Sequence, residues 1–176
     1  FIQTGENLGF AGGNNVGIRY ILKKGNCDFI WLLNNDTVIG KKALNYLIEK
    51  NKKNNSLGVI GSKLLFYYKP NVIQTTGGGK IIPWLGIEKS VGQNKKDEGE
   101  WDREIILDYV SGASFLIKVG TINFIGLMDE NYFLYWEDTD WCERIKRAGN
   151  QLSYEYRSKV WHKASSTIKS RSIIQD

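Results

Sequence analysis

An α/β fold built on a mostly parallel sheet is what this chain predicts, and three observations carry the prediction. Residues 29–33, FIWLL, are apolar without alternation, the pattern of a strand covered on both faces. Residues 41–54 carry Ala43, Leu44, Leu47 and Ile48 at the period of an amphipathic surface helix. Residues 58–68, GVIGSKLLFYY, bring strand material back, and such β, α, β alternation marks parallel pairing.

At 176 residues, 41% hydrophobic and 12% aromatic, the chain can bury one core. Wholesale disorder is excluded and a single domain over 1–176 is expected. Cys27 and Cys142 lie far apart without metal-like spacing; they read as free thiols in a reducing compartment, with a single disulfide as the alternative. No run of 18 apolar residues and no signal-peptide pattern occurs, so no membrane-spanning helix is predicted. The net charge of +5 suits phosphate-bearing partners or an anionic membrane surface. Lys and Arg are nevertheless scattered over 41–53, 94–103 and 144–171 with no aromatic-basic stripe, and nucleic acid is not an expected partner. The chain opens on Phe1 and a polar, glycine-rich segment, and it is expected to be a fragment.

In chain order, residues 7–17, NLGFAGGNNVG, form a glycine-rich stretch, with a helix expected from Asn14 or Asn15 onward. A glycine-rich loop feeding a helix start presents free N–H groups to an anion, although a tight loop with an Asn cap explains the same residues. The strand at 29–33 ends on Asn34, Asn35, Asp36 and Thr37, turn formers that place one carboxylate, Asp36, at a strand's carboxyl end. Open α/β sheets bind ligands there; an ordinary Asx turn is the other reading.

Residues 75–104 change character: three glycines at 77–79, then Pro83 and Trp84, then a charged run from Glu88 to Arg103. The stretch is too long for a plain connector, so it reads as a loop or hairpin excursion, with Trp84 and Trp101 pointing to one that covers something. Strand material returns over 105–119, interrupted by Ser111, Gly112 and Ala113, small residues that admit a ligand or a bulge. Residues 121–126 read as a short helix closed by glycine.

Residues 131–149, NYFLYWEDTDWCERIKRAG, form a second focus. Asp140 and Glu143 have the spacing of a capping pair, and Arg144, Lys146 and Arg147 suit the helix's other end. Glu137 and Asp138 would then precede the cap, crowded together among aromatics, where perturbed acids and bases are found. Residues 152–161 read as a last strand that delivers His162, the chain's one histidine; by composition alone it is structural or surface. The tail over 163–176 is basic and expected to fray.

Four stretches in order, 7–17, WLLNNDT at 31–37, DYVSGASFLIK at 108–118, and YFLYWEDTDWCERIKRAG at 132–149 with the trailing WH at 161–162, resemble the inverting, GT-A-fold glycosyltransferases of family 2. The likeness is strongest to the bacterial, rhamnosyltransferase-like branch that builds surface polysaccharides. The resemblance implies a GT-A-like mixed, mostly parallel sheet flanked by helices, lacking its N-terminal strand and hence part of the nucleotide pocket.

It further implies roles residue by residue. Asp36 matches the carboxylate of the DxD-type motif that holds Mg2+ or Mn2+ against the donor diphosphate; Asn34 replaces that motif's first acid. His162 matches a second metal ligand. Asp138, beside Glu137, matches the general base that takes the acceptor's proton. Asn7, Asn14 and Asn35 match positions near the donor nucleotide. The implied donor is a UDP- or dTDP-linked sugar, and the implied acceptor is a glycan or lipid-linked hydroxyl. The implied setting is the cytoplasm, at the inner face of the membrane with peripheral contact to it. A non-catalytic carbohydrate- or nucleotide-binding module with a degenerate GT-A fold is the alternative, and a nucleotidyltransferase a more distant one.

Overall fold

The computed structural model describes residues 1–163; apart from Lys163, the tail expected to fray lies outside them. Helix α1 spans Gly9–Lys24 and is followed by strands β1 (Phe29–Leu33) and β2 (Thr37–Ile39), helix α2 (Ala43–Lys53) and strand β3 (Leu57–Phe66). Strands β4 (Lys69–Thr76), β5 (Gly78–Ile82), β6 (Ile87–Ser90), β7 (Tyr109–Val110) and β8 (Ser114–Lys118) come next. Helices α3 (Val119–Ile125) and α4 (Glu137–Arg147) then lead to the last strand, β9 (Gln151–His162).

The fold is a mixed α/β sheet flanked by helices, as the sequence predicts. Its main sheet runs β1-β8-β3-β9-β2, with β4 also paired to β3. The expectation of mostly parallel pairing is corrected: among the described residues of this sheet only β3 and β9 pair in parallel, and the other four pairings are antiparallel. The crossover through α2 does keep β1 and β3 pointing the same way. It skips one position, however, and β8 fills the gap in the opposite direction. β2, a three-residue strand too short to show in the periodicity, pairs with the end of β9.

β1 is apolar throughout because both its faces are covered. Ile30 and Leu32 enter the large core with Ala11, Ile18, Phe115 and Trp141. Phe29 and Trp31 pack on the other face against Leu47, Leu57 and Leu116. Each such side chain removed from water contributes about 1.5–3 kcal/mol. Trp141 of α4 stacks on Phe115 of β8, ring centroids 5.3 Å apart, which fixes α4 to the sheet.

Residues 75–104 form a hairpin of β5 and β6 joined by a short 3-10 turn, and with β7 they make a second, three-stranded sheet. Ser111, Gly112 and Ala113 divide the strand material of 105–119 into β7 and β8, since Ser114 donates its N–H back to the Ser111 carbonyl in a turn. The segment after β6 is tied to the main sheet by a buried cation: Lys63 of β3 is wholly buried and pairs with Asp97 at 2.5 Å and with Asp102. Lys159 of β9 pairs with the same Asp97 at 2.7 Å. Cys27 and Cys142 are both free. Among the described residues no helix is long and apolar enough to cross a membrane.

Candidate functional site

The site begins where β1 ends. Thr37 donates both its N–H (3.2 Å) and its hydroxyl (2.7 Å) to the Asn34 carbonyl, closing a tight turn that carries Asp36 back toward the sheet. β2 then pairs with β9 in the register Thr37 to His162, and Lys163 donates its N–H to the Asp36 carbonyl at 3.0 Å. That register brings together two residues far apart in the chain: His162 Nε2 lies 3.0 Å from Asp36 Oδ1.

The imidazole is oriented from behind. Its Nδ1 lies 2.9 Å from Gln74 Oε1 on β4, and Asn34 Nδ2 lies 3.3 Å from Nε2. A ring whose Nδ1–H donates to Gln74 turns the lone pair of Nε2 toward Asp36, the arrangement in which imidazole and carboxylate can share a cation. Manganese accepts such a mixed set more readily than magnesium, which prefers oxygen throughout. Two side chains do not complete a coordination sphere, and among the described residues no group of three or more His, Cys, Asp or Glu could hold a metal.

A cleft of about 290 Å³ adjoins this turn, lined by Gly9, Phe10, Gly13, Asn14, Leu33, Asn34, Asn35 and Gly112. Of the three asparagines implied near the donor, Asn14 and Asn35 therefore share one cavity. Asn7 is not on its wall; its side chain accepts the Gly9 N–H at 3.0 Å. The loop expected over 7–17 is corrected as well, because the helix starts at Gly9 rather than at Asn14 or Asn15. Tertiary contacts override the low helix propensity of glycine. Phe10 donates its N–H to the Phe133 carbonyl at 3.0 Å, and Asn15, wholly buried, exchanges hydrogen bonds with the Met128 backbone. Gly9 has φ +70°, and a Cβ there would lie 2.2 Å from the Phe133 carbonyl oxygen. The positive end of α1's dipole thus faces the cleft.

The second focus meets the cleft through Gly112. Helix α4 starts at Glu137, after two consecutive left-handed residues, Tyr135 (φ 72°) and Trp136 (φ 74°). Non-glycine residues held so cost about 1–3 kcal/mol each and occur where a structure must aim the next residues of the chain. Those residues are Glu137 and Asp138, placed in the helix's first turn rather than ahead of its cap. The expected Asp140–Glu143 capping pair is not formed. Trp136 occupies the cap without a side-chain bond, Asp140 pairs with Arg144 at 2.8 Å, and Glu143 pairs with Lys146 at 2.7 Å and Arg147 at 3.1 Å.

Asp138 accepts the Gly112 N–H at Oδ2 and the Thr139 N–H at Oδ1, both at 2.8 Å. Gly112 lines the cleft, so Asp138 is one hydrogen bond from it. A Cβ on residue 112 would lie 2.8 Å from Phe10 Cζ and 3.5 Å from Asp138 Oδ2, which is why residue 112 is glycine: the groups that approach are the Phe10 ring and the Asp138 carboxylate. Burial pushes the Asp138 carboxyl up to about 6, with the nearby Glu88 charge adding to the shift and the two N–H donors opposing it. Burial, then Asp138 and Glu88, raise Glu137 too.

Glu88 opens a charged run in the sequence and carries no functional signal there. It sits on β6 and accepts a hydrogen bond from the Thr139 hydroxyl, so the hairpin contributes a third carboxylate to this end of the site. Only the pairing of β5 with β7 brings it there, and no local pattern could have revealed it.

A mixed sheet flanked by helices, with a carboxylate–imidazole pair and a cleft at the carboxyl end of β1, is the layout of a GT-A-like glycosyltransferase fold. Among known proteins the chain is similar to the low-salt glycan biosynthesis hexosyltransferase Agl10 of Haloferax volcanii, 28% identical over 148 residues that make up 84% of this chain and 46% of that protein. It is similar also to the rhamnosyltransferase WbbL of Escherichia coli K12, 24% identical over 160 residues, 86% of this chain and 59% of that one. The chain thus spans about half the length of these curated relatives. Among solved structures it superposes on GalNAc-T7, crystallised with UDP, GalNAc and Mn2+, with a TM-score of 0.69 and 15% identity over 92% of this chain and 31% of that one. No family model matches the chain.

Proposed function

We propose that this chain is the catalytic domain of a metal-dependent, inverting glycosyltransferase that moves a sugar from a UDP- or dTDP-linked donor to a hydroxyl of a surface glycan or lipid-linked acceptor. The observation that carries the proposal is the Asp36–His162 pair at 3.0 Å beside a cleft whose wall residue Gly112 donates its N–H to Asp138. Relatives named for hexosyl and rhamnosyl transfer support sugar transfer as the reaction, and the Mn2+ and UDP of GalNAc-T7 support a cation and a nucleotide donor on this fold.

In this scheme Asp36 Oδ1 and His162 Nε2 hold Mg2+ or Mn2+, with Gln74 setting the imidazole's orientation. When bound, the cation offsets the charge that develops on the leaving diphosphate. Asn14 and Asn35, beside the positive end of α1, hold the donor nucleotide. Asp138 takes the proton from the acceptor hydroxyl as that oxygen forms its bond to the anomeric carbon and the bond from that carbon to the diphosphate oxygen breaks. Attack opposite the leaving group inverts the centre in one step. A carboxyl near 6 is ionised at neutral pH, yet more basic than an ordinary aspartate. Asn34 offers an amide where the usual motif has an acid, which weakens the metal site without removing it. A lipid-linked acceptor places the reaction on the cytoplasmic side, in peripheral contact with the membrane.

Asp138→Asn tests the proposal. With a panel of UDP- and dTDP-sugars and candidate glycan acceptors, the variant should lose transfer by roughly 100-fold or more, while donor binding measured by calorimetry stays within about two-fold. Unchanged transfer, or no transfer by the native protein with any donor, would support the non-catalytic binding module instead.

A further inference from the structure

The β5–β6 hairpin has a part that the catalytic scheme does not use. Ile82 pairs with Ile87 and Ile81 with Glu88, and the turn beyond them carries Trp84 at 84% exposure, with Leu85 and Ile87 also in solvent. No ring or cation contact involves Trp84 among the described residues. An indole left in water at a hairpin tip serves neither the core nor the second sheet.

The hairpin is held against the base from two directions. Glu88 accepts the Thr139 hydroxyl, one residue after Asp138. β5 pairs with β7, which runs directly into Gly112, the residue that donates to Asp138. Glu137, 5% exposed, adds a third carboxylate next to Asp138. The charge at this end selects the ligand's class. Three carboxylates, Glu88, Glu137 and Asp138, repel a phosphate-bearing group and suit an uncharged polyol whose hydroxyls donate.

We propose that the β5–β6 hairpin is an acceptor-recognition arm. Glu88 accepts a hydroxyl of the acceptor sugar beside the one Asp138 deprotonates, and the Trp84 indole stacks on the next sugar ring outward. The turn that carries Trp84 lies beyond the Ile82–Ile87 pair, outward of Glu88 along the hairpin, where a second ring would sit. The electron-rich indole face matches the C–H face of a pyranose, as it matches other positively polarised groups. The inference rests on the reading of Asp138 as the base.

Saturation-transfer difference NMR tests it without requiring turnover. The probe is a mixture of methyl glycosides and reducing disaccharides of glucose, galactose, N-acetylglucosamine and rhamnose. The native protein should transfer saturation to at least one disaccharide. Trp84→Ala should cut the signal of its outer ring roughly five-fold or more, Trp84→Phe should restore most of it, and Glu88→Gln should weaken both rings, with circular dichroism unchanged in each. No signal from any sugar on the native protein, or equal signals from the native protein and Trp84→Ala, would overturn the arm. A transfer assay on Asp138→Asn separates the two readings: if that variant keeps transfer activity, the base assignment fails while the arm stands.

Discussion

Replacing Asp138 with Asn is expected to raise stability relative to the native protein as pH rises to neutrality, and the size of that rise follows from the site's geometry. The carboxyl is half-buried beside Glu88, and desolvation raises it from 3.8 to about 6 in the folded state. A group raised in this way favours folding below its unfolded value and gives up that contribution as pH rises through the folded one. About two units at about 1.4 kcal/mol each gives about 3 kcal/mol. The native protein takes on this penalty between about pH 4 and pH 6 and keeps it above that range. Asn carries no charge, so its stability relative to the native protein should climb by about 3 kcal/mol across this window and then level off. Any constant cost of pairing an amide with the Gly112 and Thr139 N–H groups shifts the whole curve without changing its rise. Urea unfolding followed by circular dichroism, in half-unit steps from about pH 3.5 to about pH 8, measures the difference. At this chain length, 3 kcal/mol corresponds to about 6–12 °C in Tm. A difference that stays flat from about pH 4 to about pH 7 would refute the desolvation of Asp138, and with it the tuned base.

Two other substitutions probe the framework of the site. Gly112→Ala drives a Cβ to 2.8 Å from Phe10 Cζ and should cost about 1–3 kcal/mol of stability, while lowering transfer by more than the loss of folded protein explains; thermal unfolding and transfer rates measured side by side separate the two effects. Lys63→Met removes the wholly buried cation and leaves Asp97, 6% exposed, with Lys159 alone. It should cost about 3 kcal/mol by denaturant unfolding and make the segment over 91–104 an early site of proteolytic cutting.

The elements legible in the sequence are those whose burial is local and periodic. The run from Phe29 to Leu33 is apolar because Ile30 and Leu32 face one core while Phe29 and Trp31 face another, and Leu47 marks the buried stripe of α2. Strand direction is less legible, since β8 enters between β1 and β3 from far along the chain. The helix start at Gly9 is hidden because Phe133 and Met128, more than a hundred residues away, hold a segment whose own composition argues for a loop. At the site, Asp36 and Asp138 stand out as carboxylates at a strand end and in a crowded acidic turn. His162 does not stand out on composition; its proximity to Asp36 depends on the pairing of Thr37 with His162, and β2 is too short to announce itself. Gly112 shows as part of a small-residue break in strand material, while Glu88 is least visible, because its role arises from the second sheet meeting α4.

The central claim is that Asp36 and His162 form the donor end of a glycosyltransferase site, and calorimetric titration with UDP and dTDP tests it most directly. Each nucleotide is titrated with MnCl2 and with EDTA, into the native protein and into Asp36→Ala. One of the two nucleotides should bind in a manner that requires manganese and is lost in Asp36→Ala. Binding of equal strength in EDTA, or binding unaffected by Asp36→Ala, would contradict it.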